Sequence, residues 1–552
     1  MTASEDSAKD FGDDGSGTGG ASSGGSAGSA GTGGGLPPEE EHEESYTVPA
    51  VSGQWIWTAN PESGRVAVID AVSARVSTAN AGLAPTYLAA LGGASENESG
   101  AIVINVGSRD VSVFRATNGA VTSADKVPLG APANRLSVSP SSRWAIAWSD
   151  ASLLPSVDPT EGMQDVTVID LGESPPKAER LSVGYRPSRV FIAADESHAF
   201  VVSEPSVSVI ELGGEATASV LRDVEITSNP TEAPSARDVT VTPDGALFFV
   251  RRNDASYVEV VALDDGRRVS VNLTGVVTDL DLSPDGSSAF AVVRGLPPTP
   301  AASGSAGGSE GPGGTAEGGM GGEPGAAGGG GDGGTGGTAV ESTLAVLPVD
   351  TVLGAPGDYR AIGIPGVVGS IAVSPSGDTA LLYTNATASD RVVILDTSGA
   401  RPRTRTVVVE APVRAVIPAR DGAHAVVLLG QAPGSTKPGG FALVPVKETF
   451  PPRIVGTDAP PASVAVGESH ALVTIAGKDL PSGVYFARFP ELHPEFIRLA
   501  STPLSTALMP DVGRGFVAQS HPEGRITFID LVTGAPRTIT GFELGAKVVT
   551  DD

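Results

Sequence analysis

The sequence predicts an all-β protein assembled from about ten copies of one four-stranded unit. Three observations lead there. First, 72 glycines and 44 prolines in 552 residues make nearly one residue in five, against a usual share of roughly 12%. Second, a short apolar alternation ending in Ser-Pro-Asp-Gly, or a variant of it, recurs along the chain. Third, the sequence outside two Gly-rich stretches is rich in Val, Ala and Ser and contains no long helix-forming block. An all-α bundle and a collagen are both excluded.

The glycine excess is uneven. Residues 1–45 and 296–341 hold 31 of the 72 glycines. Both stretches lack the apolar content that offsets chain entropy and are expected to be disordered. The first reads as an acidic Gly/Ser-rich tether and the second as a loop insertion. Residues 46–552 form the repeat region.

Within it, the first two strands of a unit are clearest in VTVTPDGALFFV (239–250), LDLSPDGSSAFAVV (280–293) and IAVSPSGDTALLYT (371–384). Weaker copies include 136–148, 190–202, 415–429, 463–475 and 506–519. Third strands recur as RVAVIDA (65–71), DVTVIDL (165–171), SVSVIEL (206–212), RVVILDT (391–397) and RITFIDL (525–531). Alternating Val, Ile and Phe with small residues suits strands packed on both faces. Pro-Asp-Gly is turn chemistry, proline presetting φ and glycine accepting a positive one. Basic fourth strands such as RTRTVVV (403–409) suit a solvated outer edge. Ten hairpins over the 461 residues outside the Gly-rich stretches give about 46 residues each, the size of a β-propeller blade.

At this point WTANPESGRVAVIDAVSARVSTANAGLAPTYLAAL (57–91) resembles the YVTN-type propeller repeat, and the Ser-Pro-Asp-Gly copies are similar to the WD40-like repeat of TolB-type propellers. The resemblance implies a propeller fold over 46–552, apart from the insertion. Such repeats occur in bacterial surface proteins and lipoproteins, lactonases and redox enzymes, so the family chooses no function. Ten units imply one large ring, with two five-bladed rings as the alternative. Unit 1 has a poor first strand in YTVPAVS (46–52), while the chain ends in AKVVTDD (546–552). The C-terminal strand is therefore expected to complete the N-terminal blade. The insertion lies between the second and third strands of unit 6. In propellers of this kind that loop opens on the ligand-binding face, together with 151–163 and 431–439.

Net charge is −28, half of it in the two Gly-rich stretches. An acidic surface disfavours nucleic acid, where affinity rests on Lys and Arg neutralising phosphates, and anionic membrane surfaces. The absence of cysteine excludes disulfides, thiol nucleophiles and Cys-ligated metals. No apolar run is long enough for a membrane span, and no signal peptide is visible. The acidic Gly/Ser arm resembles the spacer after the lipidated cysteine of bacterial surface lipoproteins. That implies a periplasmic or surface location and a lipid anchor before residue 1.

Chemistry is sparse. His198, His424 and His470 share one repeat position at the start of a second strand, which marks turn phase and not a metal cluster; His42, His493 and His521 are scattered. Gly20-Ala21-Ser22-Ser23-Gly24 matches a nucleophile-elbow pattern without strand-turn-helix context. Asp279 to Ser283 hints at a calcium loop, but Pro284 stands where the spacing needs glycine. The pairs Trp55/Trp57 and Trp144/Trp148 should each share a blade face and pack in the core, the alternative being a carbohydrate platform. Aligning units on the turn places Tyr87, Arg135, Asp238, Asp279 and Arg414 at one position near the channel mouth, with Asp281 on the same face as Asp279. This set could bind a small polar ligand or a cation; inter-blade ion pairing is the structural alternative. The expectation is a monomeric, non-enzymatic binding or scaffolding protein of the cell envelope. It would need no cofactor and would recognise a protein or glycan. A lactonase-like hydrolase, with a metal at the channel mouth, is the alternative.

Overall fold

The computed structural model describes residues 39, 50–93, 95, 97–151, 163–214, 216–229, 232–295, 341–397, 402–477, 482–489, 491–541 and 549–551. The tether (Glu39 excepted), His42, the Gly20–Gly24 match, Val548 and most of the 151–163 and 296–341 loops lie outside them. The described strands form ten antiparallel sheets, nine of four strands and one of five. Blades 1 to 10 span 51–80, 85–128, 135–182, 189–225, 237–272, 277–365, 370–408, 413–457, 461–498 and 503–551. The protein is a ten-bladed β-propeller in a single ring.

Burial grades outward through each blade. Second and third strands are mostly buried, and some, such as Trp144–Trp148 and Gly439–Pro445, are buried from end to end. Fourth strands such as Lys177–Ser182 and Arg403–Val408 are mostly exposed. Successive residues of one central strand feed opposite interfaces. Trp55 and Trp57 pack between blades 1 and 2, whereas Ile56 packs between blades 10 and 1. Trp144 and Trp148 pack between blades 3 and 4, and Ala145 and Ala147 between blades 2 and 3. The tryptophan pairs are therefore core residues, as the alternation requires. Each fully buried Val, Leu, Ile or Phe side chain stabilises such an interface by about 1.5–3 kcal/mol.

Every neighbouring pair of blades shares an apolar cluster of this kind. Blade 10 supplies Ala507, Phe516, Ile526, Phe528 and Ile539 against Ile56, Ala67 and Ile69 of blade 1. That contact closes the circle and rules out two five-bladed rings. The closing device differs from the expected one. Blade 1 owns its first strand, Val51–Ser52, paired with Ile56 and Trp55. The C-terminal strand Val549–Asp551 instead adds to the outer edge of blade 10, Val549 opposite Thr540. Alternating residues satisfy any free sheet edge, and the inner edge of blade 1 was already taken.

The Pro-Asp-Gly turns carry more than local geometry. In blade 6, Ser283 Oγ donates to Asp285 Oδ1 at 2.6 Å, Ser287 N–H donates to the same oxygen at 3.0 Å, and Gly286 holds φ +70°. A Cβ on Gly286 would lie 2.8 Å from Cδ of Pro243 in the blade 5 turn. Blade 4 has no glycine there. Glu196 holds φ +57° and its carboxylate accepts from Ser139 and Ser141 of blade 3. Neighbouring turns thus touch along this part of the ring. Basic fourth strands also reach across blades: Arg405 Nη2 donates to the carbonyls of Pro445 and Val446 at 2.8 and 3.0 Å. They are inter-blade clamps as well as a solvated edge.

Candidate functional site

Strand polarity puts the start of every first strand at the face where the second-to-third connections open. The 431–439 loop, the ends of the 151–163 loop and both ends of the 296–341 insertion attach on this face. The sequence-derived set sits around this mouth, but it does not converge on one point.

Asp238 pairs with Arg189 of the preceding blade, Nη1 to Oδ1 at 2.9 Å. Asp279 is held by two backbone donors, Leu280 N–H and, across the interface, Ile371 N–H, both at 2.8 Å. Arg135 lies 3.6 Å from Asp150. Tyr87 is half-buried against the cluster between blades 2 and 3. Arg414 is exposed, and its backbone carbonyl accepts from Asn385 Nδ2 at 3.1 Å. Asp281 is half-buried and lines a cavity of about 490 Å³ with Arg189, Asp238, Asp279 and Tyr383. First strands of blades 4 to 9 contribute to that cavity, which marks the central channel. Inter-blade pairing therefore accounts for Asp238 and Asp279.

A larger cavity of about 820 Å³ opens between blades 3, 4 and 5. Arg135, Arg186, Arg189 and Arg237 line it together with Asp150, Glu204 and Asp238. Arg186 pairs with Glu204 at 3.0 Å. Arg237, only 4% exposed, donates to Glu232 at 2.7 Å, and Glu232 also accepts from Arg252 at 2.6 Å. Burial would raise the Glu232 carboxyl, but hydrogen bonds from Arg252 and Thr227 and the nearby guanidinium charges hold it below the usual carboxylate range. Trp148 lines the same wall, its Nε1 buried and without a hydrogen-bond partner among the described residues. Arg186, Arg189 and Arg237 are the residues that sequence reasoning missed. Arg189 stands in the first strand of a degenerate copy, and counting that copy in the turn alignment would have found it.

The three repeat-position histidines open the strands His198–Val202, His424–Leu429 and His470–Ile475, in blades 4, 8 and 9. Each stacks on a phenylalanine: Phe200 at 6.5 Å, Phe489 at 4.4 Å and Phe486 at 5.3 Å. Burial holds His424 and His470 below the ordinary histidine value. Among the described residues no group of three or more His, Asp or Glu side chains is placed to hold a metal ion. No helix among them is long and apolar enough to cross a membrane.

No family model matches the sequence, and no curated protein matches it. Solved structures resemble the ring at low identity. A crystal structure of a eukaryotic initiation factor aligns with a TM-score of 0.46 at 11% identity, covering 76% of this chain and 88% of that one. Dihydro-heme d1 dehydrogenase NirN in complex with DHE aligns at 0.39 and 12% identity, over 72% of each chain. Hydrazine synthase of Kuenenia stuttgartiensis aligns at 0.32 and 12%, over 66% and 95%. Likeness at this level carries no ligand or activity to this protein.

Proposed function

We propose that the protein is a binding or scaffolding propeller of the bacterial cell envelope, related to the YVTN-type and TolB-type repeats, that presents its mouth and long loops to a protein or glycan. The state of the mouth's charges carries this reading. Arg189 and Asp238 engage each other across two blades, and backbone N–H groups engage Asp279. A hydrolase of the lactonase kind would need such acids turned toward a metal and a water. Here they fix blade to blade, leaving a recess of about 820 Å³ between blades 3, 4 and 5, bordered by Ala151 where the 151–163 loop begins. Recessed polar surfaces with extended loops suit recognition. The acidic Gly/Ser-rich N-terminal sequence supports the envelope location.

The test is affinity capture from bacterial envelope extract with the full chain and with a chain lacking 296–341. A partner retained by the full chain, and lost on Arg186→Ala plus Arg237→Ala, supports the reading. Retrieval of nothing by either form, or turnover of sugar lactones with a divalent cation, would overturn it.

A further inference from the structure

One buried ion pair joins parts of the chain that the fold does not require to meet. Glu39 precedes the first strand at Val51 by twelve residues, yet its side chain is only 4% exposed. Four donors surround its carboxylate at the junction of blades 6 and 7, on the loop face. Arg294, at the base of the insertion and 10% exposed, pairs with Oε1. Thr384 Oγ1 donates to the same oxygen at 2.6 Å. Asn385 and Ala386 N–H donate to Oε2 at 2.7 and 3.0 Å. The last three residues begin the second-to-third connection of blade 7. Gly369, just before the first strand of that blade, provides the room: a Cβ there would land on the Glu39 carboxylate.

All five elements of this receptor belong to blades 6 and 7 of the ring. Two adjacent backbone N–H groups, a hydroxyl and a guanidinium satisfy both oxygens of one planar carboxylate. With no carboxylate present, buried donors would lose their acceptor, which is costly. We propose that this pocket is a recognition site for a glutamate on an extended acidic peptide, and that Glu39 fills it in cis as an intramolecular plug. The site names the chemistry of a partner for the binding role above, and in that respect rests on it. Glu39 stands only twelve positions before Val51 in the same chain, so the plug competes as an intramolecular ligand. An acidic partner must therefore displace the arm or meet a released one.

Hydrogen exchange and peptide binding on the full-length chain test this. In Glu39→Ala, amide protection of Asn385 and Ala386 should fall about tenfold or more; unchanged protection would overturn the cis contact. Gly369→Ala should give the same loss with the fold intact. The Gly369 backbone is outside the left-handed region and the three atoms nearest the new Cβ all belong to Glu39. The probe is a synthetic peptide of residues 37–45, PPEEEHEES. A chain with Glu39, Glu40, Glu41, Glu43 and Glu44 all changed to Ala should bind it at least tenfold more tightly than the native chain. Arg294→Ala in that background, or Gln in place of every Glu in the peptide, should weaken binding tenfold or more. No binding by the Glu-free chain, equal binding after Arg294→Ala, or free glutamate binding as tightly as the peptide would overturn the proposal. Peptide binding without any captured envelope partner would uphold this site and count only against the envelope role.

Discussion

Replacing Gly286 by Ala separates two reasons for a glycine in the repeat turn. Gly286 and Gly434 have nearly the same backbone, φ +70° and +74°. A Cβ at Gly286 meets Pro243 Cδ at 2.8 Å and Cγ at 3.2 Å, whereas one at Gly434 meets nothing within 4 Å. Alanine in the left-handed region costs about 1–2 kcal/mol at either site. The lost unfolded-state freedom of glycine returns about 0.4–1 kcal/mol at both and cancels between them. Only Gly286→Ala also forces a methyl into the neighbouring blade's turn, an overpacking cost of about 1–3 kcal/mol. The pair should therefore differ by that last amount in urea unfolding followed by far-ultraviolet circular dichroism. Pro243→Ala in the Gly286→Ala background should recover part of the difference, a coupling of about 0.5–3 kcal/mol for residues in contact. Equal losses for the two glycines, or additive effects of the Gly286 and Pro243 changes, would refute the turn-to-turn contact.

Other outcomes follow from the same structure. Asp279→Ala removes the acceptor for two backbone N–H groups, one of them in the next blade; a loss of about 2–3 kcal/mol is expected in urea, with partner capture unchanged. Because burial lowers His424 and His470 from 6.5, the unfolded chain takes up protons more readily than the folded one. Stability is then highest above 6.5 and falls as pH drops below it. The urea midpoint should be lower at pH 5.5 than at pH 8, and the gap should narrow in His424→Gln plus His470→Gln. Removing 542–552 should cost less than about 1 kcal/mol, read as the urea midpoint. A loss of several kcal/mol would mean that the C-terminal strand closes the ring after all.

Much of the fold was legible because strand burial is periodic. The alternation in QWIWTAN puts Trp55 and Trp57 on one face and Ile56 on the other, and both faces are buried. Ten hairpins could be counted for the same reason. The site was less legible. Asp238 and Asp279 could be placed at the mouth by counting from the turn, but their partners, Arg189 and the Ile371 N–H, come from adjacent blades. No spacing within one unit encodes a contact between two. Glu39 shows the limit most plainly, since its hydrogen-bond partner Asn385 lies 346 residues away.

The sequence by itself determined the unit, its strand order, its number and the acidic, cysteine-free character of the chain. These are local properties, set by period-two alternation and by turn residues whose φ preferences act within a few bonds. Tertiary structure alone decided that ten blades make one ring, that blade 10 meets blade 1 through Phe516 and Ile56, and that the last strand joins an outer edge. It also decided that the mouth's acids are engaged and that Glu39 is seated. Those outcomes depend on which surfaces compete for the same partner, and that competition exists only once the blades stand side by side.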